Sequence, residues 1–540
     1  MPSPANSFSR HRWFWAISLA GLFGVAVAAA AFEGRTWTLV GHTCLLAAAT
    51  TALAVPLATL LALLLVRSDL PGRHVALLAL GLMPWVPLYL QAAAWQAGFG
   101  LQGWLPIACG GPVLLEGWCG AIWIHAVAAI PWAVGIIGAG LWLVRPELEE
   151  IALLDGSAAQ VVLRVTLRSA LPAIAAAALW IAVTTAGEMT VTDLFGVRTY
   201  AEEIYTRAAL GEELSTASLT LLPGLALTAW CVLSGLLVCA WLSPAQWPLG
   251  LARRHVFRLR RWRWPALLLV ALTVALLAGV PLGNLVYKAG VTVRQLHDER
   301  IRSWSAGKCL QMVLLAPGRN LREAGWSLTI GGLAATAAVA AGIVLGSVAR
   351  RGRAAATAVL AVVAVCLAVP GPMLGVSIIG LLNRAGHPWL LWLYDHSILA
   401  PLLAQWVRCL PLATLILWHG RQSLPQQLLD NAAVDGAGPL KRLVWVTLPI
   451  LWPSLAIAWL TALATALGEL AASILVVPPG VNTLAIHIFG LLHYGVEDQV
   501  AGICLAMLAF FLAVAAAALW LGWKAGRIWN SEFARRNSEC

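Results

Sequence analysis

Charge is scarce in this chain. Asp, Glu, Lys and Arg make up 11% of 540 residues, and mean hydropathy is +0.82. A soluble domain carries about 25% charged and 45–50% apolar residues, whereas 60% is apolar here. So little polar surface cannot cover the chain against water. A soluble enzyme, a disordered protein and a nucleic-acid binder are thereby excluded, and a polytopic membrane protein remains. A Gly-x4-Gly-Lys-Ser/Thr phosphate loop is absent, so the chain has no usual means of hydrolysing ATP itself. The 10 cysteines form no CxxC pair, which argues against zinc and thioredoxin-like chemistry. Cys231, Cys366 and Cys504 lie in apolar runs and read as small core residues. Cys109 and Cys119 flank one loop, where a disulfide and two free thiols are alternatives. His42, His125 and His487 lack metal-ligand spacing, so neither a resident metal nor a cofactor is expected.

What is abundant is long apolar sequence. A membrane span needs about 20 mostly apolar residues. Twelve segments qualify, near 13–32, 37–66, 74–99, 117–143, 171–193, 217–242, 265–287, 325–349, 355–382, 397–418, 450–477 and 498–523. They are Ala/Leu-rich and do not alternate, so helices are expected rather than barrel strands. Pro84, Pro87, Pro370 and Pro372 fall in the third span of each half and should bend it.

The 35 Lys and Arg against 24 Asp and Glu give a net charge of +11, which the positive-inside rule explains without nucleic acid. With the N-terminus inside, inner segments collect Arg10, Arg67, Arg145, Arg253, Arg350, Arg351, Lys441, Arg442 and Lys524. Both termini are then cytoplasmic. The loop 288–324 runs against the rule, which long loops obey less strictly. An alternative for the start is a cleaved signal peptide ending near Ala31.

The chain repeats itself. Residues 155–172 read DGSAAQVVLRVTLRSALP, and 435–453 read DGAGPLKRLVWVTLPILWP. Each has Asp-Gly, an apolar/basic stretch, Val-Thr-Leu, and a Pro six residues past the Thr. Asp155 and Asp435 lie 280 residues apart, and Gly187-Glu188 and Gly468-Glu469 lie 281 apart. The expected architecture is all-α, about 12 transmembrane helices in two repeated six-helix halves. These are 1–242 and 265–540, joined by a basic cytoplasmic linker, 243–264. The repeated loops 147–168 and 427–449 are too polar to span. Each should form a short amphipathic helix, a turn at Asp-Gly and a second helix entering the membrane. Leu428, Leu429, Ala432, Ala433 and Leu440 can share one apolar side. Such a unit either anchors the chain to the inner surface or presents a face to a cytoplasmic partner.

The two loops resemble the EAA motif of ABC importer permeases, Glu-Ala-Ala, three residues, Gly, then Ile-x-Leu-Pro. The first copy offers Glu150, Ile151, Ala152, Asp155 and Gly156; the second offers Asp430, Asn431, Ala432, Asp435 and Gly436, ending Val446-Thr447-Leu448-Pro449. Departures are Ile151 and Asn431 for Ala, Asp430 for Glu, and Arg168 for the first Pro. The resemblance implies a type I ABC importer permease in a bacterial-type plasma (inner) membrane. Its coupling loops would dock two copies of a separate ATPase subunit. An extracytoplasmic solute-binding protein would deliver cargo to the outer loops 194–216 and 478–497.

The stretch Gly468-Glu469-Leu470-Ala471-Ala472-Ser473-Ile474-Leu475, followed by Pro479-Gly480-Val481-Asn482-Thr483-Leu484-Ala485, resembles the iron(III)-type branch, whose relatives import thiamine and polyamines. Glu188, Glu469 and Arg408 are the candidate pathway residues, because an intramembrane charge usually faces a cavity or a partner. The carboxylates could line a route for a cationic cargo, or cap and pair within the bundle, with Arg408 as partner. A second reading is a 12-span secondary transporter of the major facilitator type, echoed by Asp69-Leu70-Pro71-Gly72-Arg73 but leaving the paired loops unexplained. A membrane transferase would need a catalytic cluster. Asp193, Glu202, Glu203, Glu212 and Glu213 instead read as a solvated acidic face.

Overall fold

The computed structural model describes residues 34–211, 255–296, 299–384, 386–422, 424, 426–494 and 498–538. The expected spans 13–32 and 217–242, most of the linker 243–264, and Glu212 and Glu213 lie outside the described residues.

The first half runs α1 (Gly34–Arg67), α2 (Arg73–Leu82), α3 (Leu88–Phe99), α4 (Gly117–Trp142), α5 (Pro146–Asp155), α6 (Ala158–Ala186), α7 (Thr190–Leu194) and α8 (Tyr200–Ala209). After the linker come α9 (Arg260–Gly290), α10 (Ala306–Arg319), α11 (Leu321–Ala349), α12 (Arg353–Ala368) and α13 (Gly371–Leu382). Then follow α14 (Leu399–Gln422), α15 (Gln426–Val434), α16 (Pro439–Gly468), α17 (Ser473–Val476), α18 (Leu484–Leu492) and α19 (Asp498–Ser538). Among the described residues, eight helices are long and apolar enough to span, or up to 10 when two bent pairs are each counted as one. These match ten of the twelve expected segments in position. The protein is an all-α polytopic membrane protein. Its exception is a hairpin in the 288–324 loop, Val291–Leu296 against Glu299–Trp304, with Val291 opposite Trp304 and Leu296 opposite Glu299.

The third span of each half is broken rather than gently bent, the two pieces meeting at 106° in the first half and 101° in the second. The breaks fall at Pro87 and Pro370, with nearly the same backbone: φ −56°, ψ 147° and φ −58°, ψ 146°. Proline lacks an amide donor and pushes the preceding residue out of the helical region. Val86 and Val369 are accordingly extended, at ψ 118° and 119°. Pro84 sits in a 3-10 turn and Pro372 in a first helical turn, where neither obstructs the helix.

Each half is built on three helices in mutual contact, α1, α4 and α6 in the first and α11, α14 and α16 in the second. Apolar side chains gain little from one another in lipid, so close approach depends on small residues. Gly138 fits against Val66, and Gly342 and Gly346 fit against Ala413, Leu417 and Trp418. The second half's α9 touches both halves. It packs on α2 and α3 of the first and on α19. Each repeated loop leads into a helix with a π turn, Val162–Thr166 and Leu443–Thr447, at the same place in the repeat. Pro172 and Pro453 follow inside those helices.

Candidate functional site

The two repeated loops share a plan and differ in execution. In the first, Pro146 opens α5, and Glu147 and Glu149 sit in its first turn, where acidic side chains favour the helix dipole. The turn is made by Ser157 rather than by Asp155-Gly156. Ser157 Oγ accepts from Gln160 N, and Gln160 Oε1 accepts from Ser157 N, a reciprocal cap on α6. In the second loop the turn does fall on the glycine. Gly436 takes φ 80°, its N–H donating to Ala433 O, and Pro439 opens α16.

Glu150, Asp155, Asp430, Asp435 and Gly436 are exposed, and Ala152, Gly156 and Ala432 are half-buried. Around them stand exposed apolar side chains: Ile151, Leu154, Val434, Leu440 and Trp445, with Leu154 84% and Val434 86% exposed. The expected apolar side of the second loop is not buried against the protein, since α15 has no buried residue. Apolar surface next to acidic residues on a short projecting helix suits a protein partner.

Sequence reasoning missed Glu149 and Arg67. Glu149 is fully buried. It accepts from Arg67 Nη2 at 2.8 Å and from Thr166 Oγ1 at 2.6 Å. The signal available was a second acidic residue beside Glu150, but the partner lies 82 positions away.

The second cluster lies where the halves meet. Glu188 and Glu469 both cap short helices. Glu188 accepts from Thr190 N at 2.7 Å and Val191 N at 3.0 Å; Glu469 accepts from Ala472 N at 2.8 Å, Ser473 N at 3.0 Å and the Ser473 hydroxyl. Each Gly-Glu corner abuts the proline break of the other half. Gly187 O accepts from Gly371 N, and a Cβ on Gly468 would come 3.2 Å from Pro87 Cγ. Arg408 donates to Val369 O at 3.1 Å, and among the described residues no ion pair joins it to either carboxylate. It occurs on one side only, since Ala128 stands 280 residues earlier. His125 Nε2 lies 3.8 Å from Glu188, and Gln405 takes the equivalent place in the second half, buried with Oε1 unpartnered.

The acidic segment is not the solvated face expected. Glu202 and Glu203 are buried on α8, and Glu203 meets Arg35 at 2.8 Å, Arg207 at 2.9 Å and Arg198 at 3.8 Å. Burial would raise the Glu203 pKa, but the hydrogen bonds from Arg207 and Arg35 outweigh it and hold the group below its ordinary value. Tyr200 and Ile204 of α8 pack on Met373 and Val376 of the other half's α13. Asp193 reaches across to His493 at 3.1 Å, and this hydrogen bond raises the His493 pKa. Among the described residues no His/Cys/Asp/Glu group could hold a metal, and Cys119 is a free thiol.

Residues 338–524 match the family described as binding-protein-dependent transport system inner membrane component. The putrescine transport system permease protein PotI of Escherichia coli (strain K12) is 30% identical over 190 residues, covering 35% of this chain and 67% of PotI. The trehalose/maltose transport system permease protein MalF of Thermococcus litoralis is 31% identical over 119 residues, 22% of this chain and 40% of MalF. The putative 2-aminoethylphosphonate transport system permease protein PhnV of Salmonella choleraesuis is 36% identical over 101 residues, 18% of this chain and 38% of PhnV. The chain belongs to the binding-protein-dependent permease family. It is therefore a membrane component of an importer of the ABC class, and the major facilitator alternative falls. The iron(III)-type branch is not among these relatives.

Proposed function

We propose that this chain is the translocation subunit of an ATP-driven importer, with two coupling loops that each receive one ATPase subunit. The supporting observation is the pair of projecting helices, α5 and α15, with exposed apolar tips at Leu154 and Val434. Each leads through a π turn into a helix that ends at a Gly-Glu corner facing the other half. Movement at the docked tip can then reach the seam between halves along one continuous helix. Glu150, Ala152, Asp155 and Gly156, with Asp430, Ala432, Asp435 and Gly436, form the coupling surface. The substrate route follows the seam of Glu188, Glu469 and Arg408. ATP is hydrolysed on the separate subunit, so this chain is a pore and not an enzyme. Its halves are 1–242 and 265–540 around the linker 243–264, both termini are cytoplasmic, and the binding protein lands on 194–216 and 478–497.

Iron(III) is the first cargo to test, on the likeness of residues 468–485 to that branch. Polyamine import is the second reading, favoured by the 30% identity to a permease named for putrescine. Thiamine is the third.

The test is purification of the tagged chain in mild detergent with its co-purifying proteins identified and counted. Two ATPase subunits per chain are expected, together with a solute-binding protein whose bound cargo can be assayed for iron, polyamine and thiamine. Leu154→Asp with Val434→Asp should reduce ATPase capture at least about tenfold, because each places a charge in an apolar contact. Full capture by the double variant would remove these helices from the coupling role.

A further inference from the structure

The halves differ in how their coupling helices are tied down. Arg67 ends α1 and is 1% exposed; its partner Glu149 on α5 is 0% exposed. Arg67 Nη2 also donates to Val144 O at 3.3 Å, just before α5. Thr166, in the π turn of α6, donates to the other carboxylate oxygen. The inter-half linker joins the same point. Phe257 N donates to Arg67 O at 2.9 Å, Leu259 N to Asp69 Oδ1 at 2.9 Å, and Arg67 Nη1 reaches His255 O at 3.5 Å. One buried ion pair thus gathers the end of a core span, the coupling helix, the start of the next span and the linker.

The second half has the same plan without the acid. Arg350 follows α11 as Arg67 ends α1, but it meets a neutral amide, Gln426 Oε1 at 2.8 Å, and Arg421 O at 2.9 Å. Gln426 is exposed. Leu429 stands 280 residues after Glu149, and the buried Thr447 stands 281 after Thr166. Among the described residues α5 has a buried anchor and α15 has none. A buried charge pair is hard to separate, because each partner would be left desolvated and alone. An exposed amide–guanidinium contact exchanges readily with water.

We propose that the Arg67–Glu149 pair clamps the first coupling helix rigidly to α1 and the linker, while the second coupling helix pivots. Arg67 and Glu149 are positioning residues for ATP-driven movement of the first half. This rests on the permease reading above, but the clamp can be judged without an ATPase.

The experiment is amide hydrogen–deuterium exchange on the full chain in lipid nanodiscs, followed by ATP turnover of the purified complex. Amides of Pro146–Asp155 should exchange at least about tenfold more slowly than those of Gln426–Val434. Arg67→Met should remove that difference, and Arg67→Lys should restore part of it. Gln426→Glu, which gives Arg350 a carboxylate, should slow exchange in the second helix. With ATPase bound, Arg67→Met should lower ATP turnover at unchanged subunit stoichiometry. Equal exchange of the two helices in the unaltered chain would overturn the proposal, as would slow exchange persisting in Arg67→Met with Gln426→Glu without effect. If Arg67→Met does not fold, Gln426→Glu decides alone. Absence of any ATPase in the unaltered complex would sink the permease reading, while the exchange data would still judge the clamp.

Discussion

In the first half Gly140 of α4 lies against Ala173 of α6; in the second, Gly420 of α14 lies against Ser454 of α16, and both pairs occupy the same repeat positions. A Cβ on Gly140 would sit 2.1 Å from Ala173 Cβ, and one on Gly420 would sit 2.7 Å from Ser454 Oγ. The helix crossing beside each repeated loop is therefore tight in both halves. What surrounds it differs: a buried Arg67–Glu149 pair in one, an exposed Arg350–Gln426 contact in the other. Two copies can share a helix crossing and still differ in how firmly each loop is held.

Three contrasts between the halves sharpen or break that comparison. The largest effect is expected at Gly140. Gly140→Ala drives a methyl into a carbon fixed to the facing backbone and should cost about 3 kcal/mol, whereas Gly420→Ala meets a hydroxyl that can turn away and should cost about 1 kcal/mol. Thermal unfolding in detergent reads both. Equal losses would mean that the two crossings relax alike.

Next come the caps. Glu469 is buried and accepts two backbone N–H groups and a hydroxyl, while Glu188 is half-buried and accepts two N–H groups. Glu469→Gln should lose about 2 kcal/mol and Glu188→Gln about 1 kcal/mol, in keeping with hydrogen bonds to charged groups. Transport should fall in the same order if the corners line the route. Normal transport by the double variant would leave them as caps only.

The smallest effect is a pH dependence confined to one side. Asp193 bonds His493, and Ile474 stands at the equivalent place in the second half. The His493 pKa is raised, so protonation favours the folded contact. The contribution is complete below the unfolded value of about 6.5 and is lost as pH rises through the higher folded value. Unfolding temperature should therefore drop slightly from about pH 6 to 8, and Asp193→Asn should flatten that part of the profile. An unchanged profile in the variant would assign the pH dependence elsewhere.

The repeated loops were legible because their signal is local. Asp-Gly, Val-Thr-Leu and a downstream Pro recur at fixed spacing, and the family match covers only 338–524. For the first half the correspondence is structural: the π turn at Val162–Thr166, the break at Pro87 and the cap by Glu188. The acidic segment was misread because Glu202 and Glu203 look solvated until Arg35 arrives from α1. The turn of the first loop was misassigned because Asp-Gly is a generic signal, while the working cap is Ser157 with Gln160.

By itself the sequence determined the membrane class, the positions of the ten described spans and the two related loops, because hydropathy, proline and turn chemistry act over a few residues. Only the tertiary structure decided that Arg67 meets Glu149, that each Gly-Glu corner faces the other half's proline break, and that Arg408 donates to Val369 O. Those are contacts between helices far apart in the chain. Desolvating a polar or charged group costs free energy that only a well-placed partner offsets, and no local pattern records which groups will share the same dry space.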